Sequence, residues 1–203
     1  MNWFNVKGGG DLKKAAIAYA EALCDTIEKY NLDGFDIDYE PGYGHSGTLA
    51  NGAMIEENSG NTAMYAFIKT MYDRLKPKGR MLVFDGQPEL LSTEASKMID
   101  FYIYQAYWET SAGQVKYKVN HPNLDKWDEK TIITAEYEQT WREGNGRGYS
   151  AADPDVRGMK GGRQITDYAV LDLNGKRVAG IGTYHMEYDK SDEIPYRWLR
   201  QAL

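Results

Sequence analysis

A single cysteine, Cys24, among 203 residues excludes a disulfide framework within the chain. Its place inside a helical pattern makes it a small buried hydrophobe. No apolar run approaches the ~20 residues that a membrane-spanning helix requires, and no basic-then-apolar leader opens the chain. Positive charge is also scarce. The chain carries 24 Lys and Arg against 30 Asp and Glu, a net charge of −6, without the Lys/Arg stripe that neutralises phosphates. This balance disfavours a nucleic-acid partner and fits small neutral or polar ligands better.

Aromatic residues are plentiful, with sixteen tyrosines and five tryptophans. Many fall at the expected ends of strands, where sugar rings can stack, although ordinary core and surface filling accounts for most of them. The length suits one domain over 1–203, with residues 1–10, ending in Gly8-Gly9-Gly10, as a flexible lead.

Asp11 is a good N-cap for an amphipathic helix over 12–30, with Leu12, Ala15, Ala16, Tyr19, Leu23, Ile27 and Tyr30 at helical spacing and Asn31 as its end. A strand follows over 32–39, then a Gly/Ser/Asn-rich loop over 41–60. The spacing predicts a helix over 61–76 closed by Pro77 and a short strand over 81–84. A helical piece over 93–98 and a strand over 101–107 come next. A loop with His121-Pro122 and a short helix near 123–127 lead to a strand over 131–135. Helix-compatible residues over 163–173, a strand over 178–184 and a helix over 192–202 complete the chain. The Gly-dense stretch between 140 and 162 lacks the dinucleotide-binding spacing and reads as a surface loop. Alternating helices and strands imply a parallel sheet with right-handed crossovers, either an open doubly wound sheet or a barrel.

The chemistry concentrates in Leu32-Asp33-Gly34-Phe35-Asp36-Ile37-Asp38-Tyr39-Glu40-Pro41. Asp36, Asp38 and Glu40 alternate with Phe35, Ile37 and Tyr39, the period of a strand. The acids therefore share one face at about 6.6 Å intervals, while the apolar residues pack against covering helices. Crowded carboxylates cannot all ionise freely, and the separation of their proton affinities is what acid and base roles require. A calcium loop counted from Asp36 fails, because its sixth position is Pro41 and its twelfth Gly47. No metal or cofactor is expected.

The pattern Asp33-x-x-Asp36-x-Asp38-x-Glu40 resembles the D-x-x-D-x-D-x-E signature of glycoside hydrolase family 18, the chitinases and endo-β-N-acetylglucosaminidases. Its continuation, Glu40-Pro-Gly-Tyr-Gly-His-Ser-Gly-Thr48, looks more like the endo-β-N-acetylglucosaminidase branch. The resemblance implies an α/β fold, a (β/α)8 TIM-type barrel seen incompletely. The acidic strand would be the fourth of that barrel, strands four to eight would be present and the first three missing. It also implies hydrolysis of β-1,4-linked N-acetylglucosamine, in the chitobiose core of N-glycans, by substrate-assisted retaining catalysis. Glu40 is then the general acid and later the base, Asp38 orients the substrate's 2-acetamido group, and Asp36, deeper in the barrel, shares a proton with Asp38. Asp33 is structural.

Tyr107 and Gln105, at the end of the Tyr-Gln-Ala-Tyr strand, match positions that contact the acetamido carbonyl and line the sugar site; core packing is the reading for Tyr102 and Tyr104. Tyr184-His185 stands where chitinases have a floor tryptophan, so Tyr184 is a substrate-binding candidate and His185 a loop residue. Position just beyond strands nominates Asp85, Gln87, Glu136 and Tyr137. The expected partner is an N-acetylglucosamine-containing glycan or glycoprotein. Self-association or a partner chain would cover the open barrel edge. A secreted, periplasmic or cell-surface location is expected. Alternatives are a chitinase, a carbohydrate-binding protein on the same scaffold without turnover, and a metal-dependent phosphoryl-transfer domain.

Overall fold

The computed structural model describes residues 9–41, 49–107, 112–135, 167–183, 195–196 and 200. Glu136, Tyr137, Tyr184, His185, the Gly-dense stretch and most of the expected last helix lie outside the described residues. Among the described residues, five strands, β1 (Gly34–Tyr39), β2 (Met81–Gly86), β3 (Phe101–Gln105), β4 (Thr131–Ala135) and β5 (Gly180–Thr183), form one sheet in chain order. β1 with β2 and β4 with β5 pair in parallel. Helices α1 (Leu12–Lys29), α2 (Thr62–Leu75), α3 (Thr93–Ser96), α4 (Ala112–Val119) and α5 (Trp127–Lys130) alternate with them. This is the α/β alternation expected. No described helix is long and apolar enough to cross a membrane.

The chain divides into two compact units, Met1–Tyr102 with Pro122–Asp125 and Ile103–His121 with Lys126–Leu203. In the first, the Asp11 side chain accepts the Lys14 backbone N–H at 3.1 Å and starts α1. Asn31, at φ +50°, closes that helix in the left-handed region, as its position suggests. The buried face of α1 is narrower than the spacing implied. It consists of Ala15, Ala16, Ala20, Cys24 and Ile27, whereas Tyr19 is 37% exposed and Tyr30 62%. Small residues there let α2 approach closely and insert its own large ones, Phe67, Ile68 and Met71. Cys24 is buried as expected, its Sγ 3.5 Å from Met71 Sδ. On the rim, Arg74 of α2 pairs with Glu21, Asp25 and Glu28 of α1; Lys78 and Arg74 together hold the Glu28 carboxyl down to about 2.

Asn61 starts α2 by accepting the Met64 N–H at 3.0 Å, and the same buried side chain donates to the Tyr39 hydroxyl at 3.1 Å and to the Leu49 carbonyl. One residue therefore ties the end of β1, the loop behind it and the next helix together. The loop is further fixed where Ile55 N–H meets the Leu90 carbonyl at 2.7 Å and Ser92 N–H meets the Ile55 carbonyl at 3.0 Å. Composition alone reads 41–60 as a loop without periodicity; long-range hydrogen bonds fix Leu49 and Ile55 within it.

The second unit packs Tyr104, Ala106, Val115, Val119, Ile133, Tyr168 and Leu173 into one core. Tyr104 is buried here and Tyr102 in the first unit, in agreement with the core reading for both. α4 was not expected. Its buried stripe holds two described residues, Val115 and Val119, too few for a periodic signal. The expected helix near 123–127 lies instead at Trp127–Lys130, after Lys126 at φ +50°. Ser96 Oγ donates to the Asn123 carbonyl and accepts the Asp125 N–H, giving residues 123–125 side-chain bonds in place of helical ones. Of the helix-compatible stretch over 163–173, only one turn at 167–169 is helical among the described residues.

Candidate active site

Alternation along β1 sorts its two faces as the sequence implies. Ile37 and Tyr39 are buried beneath the helices, Phe35 lies edge-on to Phe67 of α2 at 6.4 Å, and Asp36 and Asp38 stand exposed on the opposite face. Asp33, exposed ahead of the strand, contributes its backbone carbonyl to Met81 N–H at 2.9 Å, a structural part. Glu40 is the first residue past β1 and is half-buried. It thus occupies the carboxyl end of a parallel strand, where α/β sheets collect reactive groups.

β2 runs farther than expected, to Gly86, so Asp85 belongs to the strand instead of lying beyond it. The register sets Asp36 opposite Val83 and Asp38 opposite Asp85, placing Asp85 on the acid face. Gln87, half-buried, follows the end of β2 as Glu40 follows β1. A cavity of about 270 Å³ adjoins β1, lined by Tyr19, Phe35, Asp36, Asp38, Leu49 and Phe67 among others. The Tyr19 and Phe67 rings stand 5.7 Å apart in its wall. Nothing in the local sequence marks Tyr19, Leu49 or Ala50 as lining this cavity, because Tyr19 falls at the apolar spacing of its helix.

Asp36 is exposed, as Asp38 is. Its carboxyl nevertheless holds its proton above the ordinary carboxylate range. Protein packed behind the strand displaces water, and the Asp38 charge adds to that. The sign of the consequence for stability follows. A folded-state proton affinity above the unfolded one means that ionising Asp36 costs folding free energy as pH rises past the ordinary carboxylate range. Asp36→Asn removes that cost. Thermal melts should therefore show the variant more stable than the parent at pH 7, with the difference vanishing at pH 3; a variant less stable at pH 7 contradicts this.

Of the other nominated residues, Gln105 ends β3 and Tyr107 follows it, both half-buried in the second unit. Thr134 of β4 fixes this strand end. Its Oγ1 lies 3.2 Å from the Tyr104 carbonyl and 3.3 Å from the Tyr107 hydroxyl, so the phenol is held by a neighbouring strand.

A family model described as glycoside hydrolase family 18, BT1044-like, matches residues 2–203. A solved structure of BT1044, a selenomethionine protein with one Glu-to-Gln substitution, is similar to the chain at 60% identity and a TM-score of 0.79. The match covers 98% of this chain and 61% of that one. The chain thus spans less than two thirds of the length of this relative. The Group IV chitinase of Ostrinia furnacalis, solved in complex with allosamidin, is similar in fold, with 11% identity and a TM-score of 0.57 over 93% of this chain and 72% of that one. A second structure of the same chitinase is 13% identical at the same TM-score. None of the curated proteins compared with the chain matches it.

Proposed function

The chain belongs to glycoside hydrolase family 18, and from that premise we propose that it serves a retaining, substrate-assisted glycosidase that cleaves β-1,4-linked N-acetylglucosamine within the chitobiose core of N-glycans. The observation that carries this reading is the placement of Asp36 and Asp38 on one face of β1 with Glu40 just past its carboxyl end.

In the proposed reaction Glu40 donates its proton to the glycosidic oxygen as the bond to the anomeric carbon breaks. The carbonyl oxygen of the substrate's own 2-acetamido group attacks that carbon, and Asp38 accepts the acetamido N–H, which raises the nucleophilicity of the carbonyl. Glu40, now a carboxylate, takes a proton from the water that opens the cyclic intermediate, restoring the enzyme and retaining the configuration. Asp36, beside Asp38 on the same strand face, modulates its charge. Tyr107 donates to the acetamido carbonyl, and Gln105, Gln87, Glu136 and Tyr184 line the sugar site. The endo-β-N-acetylglucosaminidase assignment over the chitinase one draws on the residues that follow Glu40 and on Tyr184-His185 in place of a tryptophan.

The test is mass spectrometry of a high-mannose glycopeptide and of chitooligosaccharide after incubation with the protein. Release that leaves one N-acetylglucosamine on the peptide is expected. Cleavage of chitooligosaccharide alone would make the protein a chitinase. Binding of either ligand without cleavage would make it a carbohydrate-binding protein.

A further inference from the structure

The roles above leave Asp85, a carboxylate of the acid face, unused. Asp85 on β2 is the register partner of Asp38 on β1, Cα to Cα, so the two side chains leave the same face of neighbouring parallel strands about 4.8 Å apart at the backbone. The register has little freedom to slip. A Cβ built on Gly34 would come within 2.1 Å of the Met81 carbonyl oxygen, and one built on Gly86 within 2.1 Å of the Tyr39 carbonyl oxygen, so glycine permits the close approach at both ends of the pair. Asp85 Oδ1 is shielded from solvent. Water is thus kept from one side of the Asp85 carboxyl, so the pair is less screened than two acids free in solvent.

We propose that Asp85 is a positioning residue that acts through Asp38, raising the proton affinity of the carboxyl that receives the acetamido N–H. The catalytic meaning of this coupling rests on the glycosidase reading given above; the coupling itself rests on the strand register.

Among the described residues, the titratable neighbours of Asp38 on this face of the first unit are Asp36 from β1, Glu40 just past it and Asp85 from β2, and Glu89 lies in the turn after β2. On the helix-covered side, the cavity beside β1 is lined by Tyr19 from α1, by Met64 and Phe67 from α2 and by Leu49 and Ala50 from the loop, none of which carries a carboxylate or a cation. Two carboxylates at about 5 Å shift each other's titration by about half a pH unit even in a water-like medium, and by more where solvent is displaced. Asp36 acts on Asp38 along the strand and Asp85 acts on it across the sheet, so the two contributions are separable by substitution.

The experiment is a carboxyl-carbon NMR titration of the whole chain, which needs no turnover. Asp85→Asn should lower the Asp38 midpoint by about half a pH unit or more, and Asp85→Glu, which keeps the charge, should restore most of it. The interaction free energy is shared, so Asp38→Asn should likewise lower the Asp85 midpoint, with the larger shift on whichever acid of the pair titrates second. This second arm keeps the test intact should Asp85→Asn fold poorly. An Asp38 midpoint unmoved in Asp85→Asn, or an Asp85 midpoint unmoved in Asp38→Asn, overturns the proposal. In turnover assays the acid limb of the kcat/KM profile, read as ionisation of Asp38, should move to lower pH in Asp85→Asn; a purely structural Asp85 would change the amplitude and leave the limb in place. If the midpoints move but the parent protein cleaves no glycan, the coupling stands and the glycosidase reading falls. If glycan is cleaved and the midpoints do not move, the reverse holds.

Discussion

Glu40→Gln should reduce glycan release by between about 10² and 10⁴-fold while leaving ligand binding near the parent value. The amide has the size and hydrogen-bonding reach of the acid, so the half-buried position past β1 is filled as before. What it cannot do is surrender a proton to a departing glycosidic oxygen or take one from water, and both halves of the proposed reaction need that. The loss should therefore appear in kcat with KM little changed, the signature of an interaction made in the transition state. The same glycopeptide assay measures it. Turnover by Glu40→Gln at a tenth of the parent rate or more would remove Glu40 from the acid role and with it the proposed mechanism. Glu40→Ala is the poorer test, because it also empties a side chain that takes part in contacts of its own.

The second large effect concerns the scaffold. Gly86 combines a backbone φ of +117° with a carbonyl oxygen, that of Tyr39, 2.1 Å from where a Cβ would stand. An alanine there meets both a conformation that L residues rarely adopt and a backbone atom that cannot yield without opening the β1–β2 ladder. The two terms together should destabilise by about 3 kcal/mol, or roughly 6–12 °C in Tm for a chain of this size. Two other glycines separate the contributions. Gly79, at φ +67° with nothing within 4 Å of its would-be Cβ, carries the conformational term alone, and Gly79→Ala should cost about 1 kcal/mol. Gly34 lacks the positive φ and meets the Met81 carbonyl oxygen at 2.1 Å, so Gly34→Ala isolates the steric term. Thermal unfolding should rank Gly86→Ala as the most damaging and Gly79→Ala as the least. A Gly86→Ala protein with the Tm of Gly79→Ala would show that the β1–β2 contact is looser than described.

The Gly34 contact also gives a physical reason for the Asp-Gly pair at the head of the acidic strand. Asp33 supplies a carbonyl to Met81 N–H, and the next residue must be without a side chain for β2 to come close enough to take that bond. The pair thus serves the pairing that brings Asp85 beside Asp38.

The identity of the first strand and its two faces was legible because period two is a local property: each of Asp36, Ile37, Asp38 and Tyr39 declares its side by its neighbour one residue away. Helix starts were legible for the same reason at Asp11. The width of the α1 face was not, because alanines and a cysteine carry little apolar signal, yet closely packed helices favour small residues. Tyr19 and Tyr30 have the larger signal and stand outside the buried stripe. The tertiary hydrogen bonds of Leu49 and Ile55 were not legible, because they go to the Asn61 side chain, Leu90 and Ser92, partners that no local pattern marks.

By itself the sequence determined the family, the α/β alternation and the sharing of one strand face by Asp36 and Asp38 with Glu40 next in line. Only the tertiary structure decided that Asp85 stands beside Asp38, that Asn61 joins the strand end to the next helix, and that Asp36 is exposed. The physical reason is separation along the chain. Side-chain alternation is set by adjacent peptide units, whereas the register of β1 on β2 is set by contacts between residues 47 positions apart, Asp38 and Asp85, which no local pattern encodes.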